Sequence, residues 1–156
     1  MQVRRAGADD LELVTTMRLA LLTDGSDGPP AAFDEDLRRA TAAFVRAEHS
    51  AGRFVTWLAE VDDECVGVVS LLLQPLPPLP ADRRRHDAVV LNMYVRPGHR
   101  RRGVARALLD ACLAGAAGLD VRRVALVATP SGRPLYEQVG FAVHPDRLDL
   151  GIDPPG

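Results

Sequence analysis

The sequence has no lysine, so all 19 of its basic residues are arginines. This absence excludes catalysis by a lysine amine, and the use of arginine alone is typical of high-GC bacterial genomes. An excess of positive charge is also missing, because 21 acidic residues bring the formal net charge to -2. Aromatic residues make up only 4% of the chain and are not interleaved with the arginines. We therefore expect no nucleic-acid partner.

Cysteine is scarce as well. Cys65 and Cys112 have no histidine or cysteine nearby at metal-ligand spacing, so we predict no metal site and two buried, reduced thiols. No apolar run approaches the roughly 18 residues that a membrane span needs, and no signal-peptide pattern opens the sequence. We therefore expect a cytoplasmic protein with no membrane association.

What is present suits one soluble domain. The chain has 156 residues, of which 47% are hydrophobic, and apolar segments of strand and helix period alternate along it. We predict an α/β (α+β) fold in the order β-α-α-β-β-β-α-β-α-β-β, with a mixed central sheet of about six to seven strands flanked by about four helices. The fifth to seventh strands are expected at 121–128, 141–143 and 148–152. The domain should span residues 1–153, with a frayed end at 154–156.

The stretch from Val89 to Gly115 dominates this pattern. A run of residues that favour a β-strand ends at Val95, a turn with three arginines and Gly103 follows, and a helical pattern begins. The first backbone N–H groups of a helix have no partners inside the helix, and its dipole adds partial positive charge. A strand, a basic glycine turn and a helix therefore form an arrangement that holds a phosphate.

Two motifs carry a family resemblance. Arg100-x-x-Gly103-x-Ala105 resembles the acetyl-CoA pyrophosphate loop of the GCN5-related N-acetyltransferase (GNAT) family, and Tyr136-Glu-x-x-Gly140-Phe141 resembles a second signature of that family. Their order and spacing fit one helix and one strand between them. The resemblance implies a GNAT-like fold that binds acetyl-CoA as the acyl donor. It also implies transfer of the acetyl group directly to an amine of a small molecule or of a peptide or protein.

The resemblance also implies roles for particular residues. Tyr136 would be the general acid that protonates the departing thiolate; the alternative is that it orders coenzyme A or packs its helix. Thr129 and Ser131 would lie near the coenzyme A chain, or would instead cap the following helix. The residues expected to hold acetyl-CoA are Met93, Tyr94, Val95, Arg100, Arg101, Arg102, Gly103, Val104, Ala105, Arg106, Thr129 and Ser131.

The general base is not identified by the sequence. Many family members use a glutamate on the fourth or fifth strand, where this sequence has Asn92 and no acid. Asn92 would position a water but does not take a proton itself. The other candidates are Glu35, His86, Asp87 and His144; a water relay, or an acceptor that is already partly neutral, would need no such side chain.

The acceptor pocket is expected in the segment around the first two helices, with Phe33, Asp34 and Glu35 as substrate-binding residues. The alternative is that Asp34 caps the second helix and Phe33 packs beside it. Acidic residues in this segment would suit a cationic acceptor, although they are also ordinary in loops and caps. A non-catalytic acetyl-CoA sensor or interaction protein is the competing hypothesis, motivated by the missing strand carboxylate. Dimerisation is common in such enzymes, so the resemblance allows a homodimer.

Overall fold

Five strands of the described residues form one mixed sheet in the same order as they occur along the chain. The computed structural model describes residues 1–24 and 34–145. The first four strands pair with one another in antiparallel fashion, and the fifth strand is parallel to the fourth. These strands are β1 (Gln2–Arg5), β2 (Phe54–Val61), β3 (Glu64–Pro75), β4 (His86–Val95) and β5 (Val121–Ala125).

Four helices accompany the sheet within the described residues: α1 (Leu11–Thr23), α2 (Glu35–Ser50), α3 (Val104–Ala117) and α4 (Arg133–Gln138). Short 3-10 turns precede α1 and follow β4. Asp34 caps α2, because its Oδ1 accepts a hydrogen bond of 2.9 Å from the backbone N–H of Leu37. No helix in this part of the chain is both long and apolar enough to cross a bilayer.

The two faces of the sheet pack against different helices. Alternate residues of β2, such as Val55 and Trp57, join the buried cluster under α3. Their neighbours Phe54 and Leu58 join a second cluster with Val14 of α1. The period of two along β2 thus divides the core into two layers, as strand geometry requires. The predicted mixed α/β class with four helices is confirmed.

The predicted strand count is slightly too high for the described residues. The expected strand at 141–143 is not formed, because the backbone N–H of Phe141 donates to the carbonyl of Tyr136 at 3.1 Å and closes the end of α4. The expected strand at 148–152 and the frayed end at 154–156 lie outside the described residues. β5 ends at Ala125 rather than at residue 128.

The two thiols are buried and free, as the sequence predicts. Burial raises the pKa of the Cys112 thiol to about 12 and also raises the pKa of Cys65. A thiol is nucleophilic only when it is ionised, so neither side chain is chemically reactive at neutral pH.

Gly115 on α3 is a close-contact position, and its replacement should destabilise the fold. A Cβ atom there would lie 2.2 Å from Cζ2 of Trp57, whose ring is buried in the core. We expect Gly115→Ala to lower the free energy of unfolding by about 1–3 kcal/mol, the usual cost of overpacking. Gly118→Ala is the matched control, because its Cβ would meet nothing closer than 3.6 Å. Urea titration compares the two, and equal stability would contradict the packing argument.

Candidate active site

The divergence of β4 and β5 opens a cleft in the sheet. Their pairing ends where Val89 meets Ala125, although β4 continues to Val95. No described strand pairs with this outer edge of residues 90–95, so its alternate backbone N–H and C=O groups are left for a ligand. The cleft has a volume of about 760 Å³. It is lined by residues of α1, β4, the following loop, the start of α3, the segment between β5 and α4, and α4.

A β-bulge bends β4 at the cleft. Two residues of β4, Asn92 and Met93, lie opposite one residue of β3, Val69. Asn92 has a left-handed backbone with φ of 57°, which asparagine tolerates better than most residues. Such a bulge changes the direction in which the neighbouring backbone groups point. The bulge therefore sets how the cleft-facing end of β4 presents its backbone.

The side chain of Asn92 is buried and bonded on both sides. Its Oδ1 accepts a hydrogen bond of 3.0 Å from Nη1 of Arg18, and its Nδ2 donates to Oγ of Ser70 at 3.2 Å. Oγ of Ser70 lies 2.9 Å from Oγ1 of Thr56. Because a guanidinium only donates, these contacts fix which end of the amide faces Arg18. The amide of Asn92 is thus a hydrogen-bond acceptor for Arg18. The expected role of Asn92 in positioning a water stays a prediction.

The loop after β4 presents the first turn of α3 to the cleft. Gly103 is the N-cap residue with φ of 82°, and Arg101 also has a positive φ, of 59°. Glycine has no side chain with which to cap this helix, so among the described residues its first N–H groups keep their capacity for an acceptor. Val104, Ala105 and Arg106 of that first turn line the cleft. The arrangement has the form of an anion site, because a helix N-terminus adjoins arginines of the cleft lining.

Arg100 is bonded within the protein. Its Nε donates to the carbonyl of Val95 at 2.9 Å, and its guanidinium lies 5.8 Å from the centre of the Tyr94 ring. It also forms an ion pair with Asp24 at the end of α1. The contacts tie the loop to β4 and to α1, so Arg100 shapes the cleft as well as lining it.

Tyr136 of α4 lies on the wall of the cleft that faces β4. Its side chain is buried, and its ring packs edge-on against Phe141 with 5.9 Å between ring centres. In the described part of the chain, no residue forms a hydrogen bond with its hydroxyl group. Burial, and secondarily the nearby Cys112, raise the pKa of Tyr136 above its ordinary value. The hydroxyl is therefore a protonated donor at neutral pH.

Thr129 and Ser131 lie at the turn that begins α4. Oγ1 of Thr129 accepts a hydrogen bond of 3.2 Å from the backbone N–H of Gly132 and lies 3.5 Å from Oγ of Ser131. The capping alternative is therefore seen for Thr129. Both residues also line the cleft, so a contact with the coenzyme A chain stays a prediction.

The structure brings nearly all the predicted acetyl-CoA residues to this cleft. Those that line it are Met93, Tyr94, Val95, Arg100, Arg101, Gly103, Val104, Ala105, Arg106, Thr129 and Ser131, together with Asn92 and Tyr136. Arg102 is exposed and is not part of the lining. Asp34 and Glu35 are exposed and lie outside the lining, and Phe33 is outside the described residues. Their role in substrate binding stays a prediction.

The lining of the cleft offers few carboxylates that could serve as the general base. Of the described residues that line the cleft, Asp24 is the only acid, and it pairs with Arg100. Asp87 lies outside the lining and pairs with Arg122 and Arg123; these pairs hold its pKa below the ordinary value against the opposing effect of burial. His86, Glu35 and His144 also lie outside the lining. In the described ranges, no group of three or more potential metal ligands was found.

Arg18 is not predicted as a site residue from the sequence, yet its guanidinium is hydrogen-bonded to Asn92 at the bulge. It belongs to the lining of the cleft and also to that of a second pocket, of about 320 Å³, between α1, α2 and the sheet. One signal was available. Arg18 lies seven residues after Leu11 and four after Val14, on the spacing of the buried stripe of α1, where a charged side chain is unusual.

Comparisons with known proteins agree with this geometry. The sequence matches the acetyltransferase (GNAT) family over residues 18–141. Among solved structures, a predicted acetyltransferase from Clostridium acetobutylicum with acetyl-CoA superposes with a TM-score of 0.83 at 23% identity, covering 96% of this chain and 95% of that one. A GCN5-related N-acetyltransferase from Ralstonia eutropha gives 0.77 at 26% identity, covering 97% of each chain. The ribosomal-protein-alanine N-acetyltransferase from Brucella melitensis gives 0.68 at 22%, covering 98% and 99%. No curated protein matches the sequence significantly.

Proposed function

The chain belongs to the acetyltransferase (GNAT) family, and on that premise we propose that it transfers an acetyl group from acetyl-CoA to the amine of a small molecule or peptide. The observation that supports this most strongly is the cleft itself. Within the part of the chain that the structure describes, it combines an unpaired strand edge, a helix N-terminus with a glycine N-cap beside arginines, and a protonated tyrosine in the lining. The similar Clostridium structure, which was solved with acetyl-CoA, supports the same assignment.

Each part of the cleft meets one need of acetyl-CoA. The first turn of α3, with Arg101 and Arg106, would hold the pyrophosphate by backbone N–H groups and charge. The free edge of β4 would pair with the amide groups of the pantetheine arm, as an added strand does. Backbone groups near the bulge at Asn92 would polarise the acetyl carbonyl.

The reaction is a direct acyl transfer. The nitrogen of the neutral amine attacks the thioester carbonyl carbon, the carbon–sulfur bond breaks, and coenzyme A leaves as a thiolate. Tyr136 would donate a proton to that sulfur, and the amine loses one proton to water or to a base. Because the only described acid of the cleft is paired with Arg100, we assign the proton on the amine to solvent rather than to a carboxylate.

Calorimetric titration with acetyl-CoA tests the donor site. We expect binding in the micromolar range by the wild-type protein, with weaker binding of free phosphopantetheine because it lacks the pyrophosphate. Equal affinity for the two compounds would contradict the role of the α3 N-terminus. No binding of either would contradict the proposed function as a whole.

A non-catalytic acetyl-CoA sensor is the second candidate, and the lack of an unpaired carboxylate in the described cleft favours it. A sensor would bind acetyl-CoA yet release no coenzyme A with any amine, whereas the enzyme releases it in proportion to acetylated product. The cytoplasmic location, the bacterial origin and the homodimer stay predictions from the sequence.

A further inference from the structure

Arg18 has a charge that the described protein does not neutralise. Its guanidinium is half-buried, and its one hydrogen bond in the described ranges goes to the neutral amide of Asn92. Within residues 1–24 and 34–145 it belongs to no ion pair. Burial alone lowers its pKa, with no contribution from an acid. Partial burial of a cation that has no described anion beside it carries a cost in desolvation, which a bound anion would offset.

Two described acids that are close to Arg18 in the sequence pair with other arginines. Glu12, on the same helix, pairs with Arg38 of α2. Asp24, at the end of that helix, pairs with Arg100. Among the described residues, the charge that a ligand would meet at Arg18 is therefore positive, although the acidic residues of this segment suggest a cationic ligand in the sequence.

Arg18 lies where the two pockets adjoin. Arg18, Leu91 and Asn92 line both the donor cleft and the second pocket. The rest of the second pocket is mainly apolar, with Val45, Phe54 and Phe44 on its walls, and the two phenylalanine rings pack edge-on with 5.7 Å between centres. Its volume of about 320 Å³ suits a small molecule.

We propose that the second pocket is the acceptor site and that Arg18 binds the carboxylate of an apolar amino acid whose amine is acetylated. The inference rests on the proposed function, because the amine must meet the acetyl group where the pockets adjoin. The carboxylate forms a charge-assisted hydrogen bond with the guanidinium, and the apolar side chain packs against Val45, Phe44 and Phe54. The amine then lies next to the bulge of β4.

The same cation helps to remove the proton of the amine. A guanidinium near an ammonium group favours the neutral form, because two like charges repel at short range. The carboxylate of the acceptor offsets part of this effect, but residues 1–24 and 34–145 place no acid in hydrogen-bond contact with Asn92 or Arg18. A cationic polyamine, by contrast, would bring a second positive charge close to Arg18 and would form no attractive interaction with its guanidinium.

The test compares amino acids with their amides. The probes are L-phenylalanine and L-leucine, each beside its primary amide, which has the same shape without the carboxylate. An amide has the less basic amine, so intrinsic reactivity at neutral pH favours the amide. We expect the wild-type kcat/KM to favour the acids by on the order of tenfold to a hundredfold, the range of a charge-assisted hydrogen bond.

Arg18→Gln should remove this preference, while acetyl-CoA affinity, measured by calorimetry, should fall by a smaller factor than the acid-to-amide ratio, because the first turn of α3 is untouched. Arg18→Lys should restore part of it, because the positive charge returns without the fork of the guanidinium. Arg46→Gln is the matched control, since Arg46 is exposed on α2 and its loss changes the net charge equally. Should Arg18→Gln fail to fold, the acid-to-amide ratio of the wild type decides alone.

The outcomes separate this inference from the proposed function. Acetylation of amides or polyamines at least as fast as of the acids would overturn the inference and leave the acetyltransferase standing. A preference for acids that survives in Arg18→Gln would also overturn it. A wild-type protein that binds no acetyl-CoA would contradict the proposed function first, and the inference would fall with it.

Discussion

Gly103→Glu should abolish acetyl-CoA binding, with a loss of affinity of at least about 100-fold, or roughly 3 kcal/mol. Two effects add. The φ of 82° at Gly103 is one that other residues adopt only at a cost of about 1 kcal/mol. The new carboxylate would also lie at the N-terminus of α3, where it competes with the pyrophosphate for the same N–H groups and repels its charge. Calorimetry on wild type and variant measures the loss.

Two controls separate the causes. Gly103→Ala adds the backbone strain without the charge, so it should weaken binding only severalfold. Gly98→Glu adds the same charge on the preceding turn, where a Cβ meets nothing within 4 Å and the residue does not line the cleft. Near-normal affinity in Gly103→Glu would place the pyrophosphate somewhere else. A loss in Gly98→Glu as large as that in Gly103→Glu would mean that the charge acts at a distance.

Tyr136→Phe should lower kcat by about 100-fold, the lower end of what a positioned proton donor contributes. The ring and its edge-on packing against Phe141 are kept, and only the hydroxyl is lost. The affinity for acetyl-CoA should therefore stay close to that of the wild type. Rapid-quench or steady-state rates, together with calorimetry, separate the two quantities. An equal fall in affinity and in rate would assign Tyr136 to binding.

The pH dependence of the rate follows from the same residue. Burial raises the pKa of Tyr136, so its hydroxyl stays protonated through the range where a free phenol begins to ionise near pH 10. The rate should thus increase with pH as the amine loses its proton, with no decline from Tyr136 below about pH 10. A decline beginning near pH 8 would show that another group provides the proton.

The sheet and the donor loop could be predicted because local patterns specify them. The alternation in β2 separates Val55 and Trp57 from Phe54 and Leu58, and the structure sends the two sets to opposite layers of the core. The glycine at 103 follows a strand and precedes a helix, as a phosphate loop does. These features depend on residues that are close together in the chain.

Other features depend on contacts across the fold. The apolar run at 126–128 predicts a longer β5, yet Val127 is 91% exposed because the chain leaves the sheet there and lines the cleft. Arg100 is assigned to the pyrophosphate by its motif, whereas its bonds to Val95 and Asp24 connect elements far apart in sequence. The position of Arg18 in the cleft could not be predicted, because it depends on the packing of α1 against the bulge of β4.

The most direct test of the account is amine-dependent release of coenzyme A by the wild-type protein. The free thiol is followed spectroscopically, and mass spectrometry of the same reaction counts the acetylated amine. We predict saturable turnover in which each coenzyme A released is matched by one acetyl group on the amine, and in which L-phenylalanine is a better acceptor than its amide. Tight binding of acetyl-CoA with no release of coenzyme A, across amino acids, amides, polyamines and peptides, would contradict the enzyme and leave a sensor.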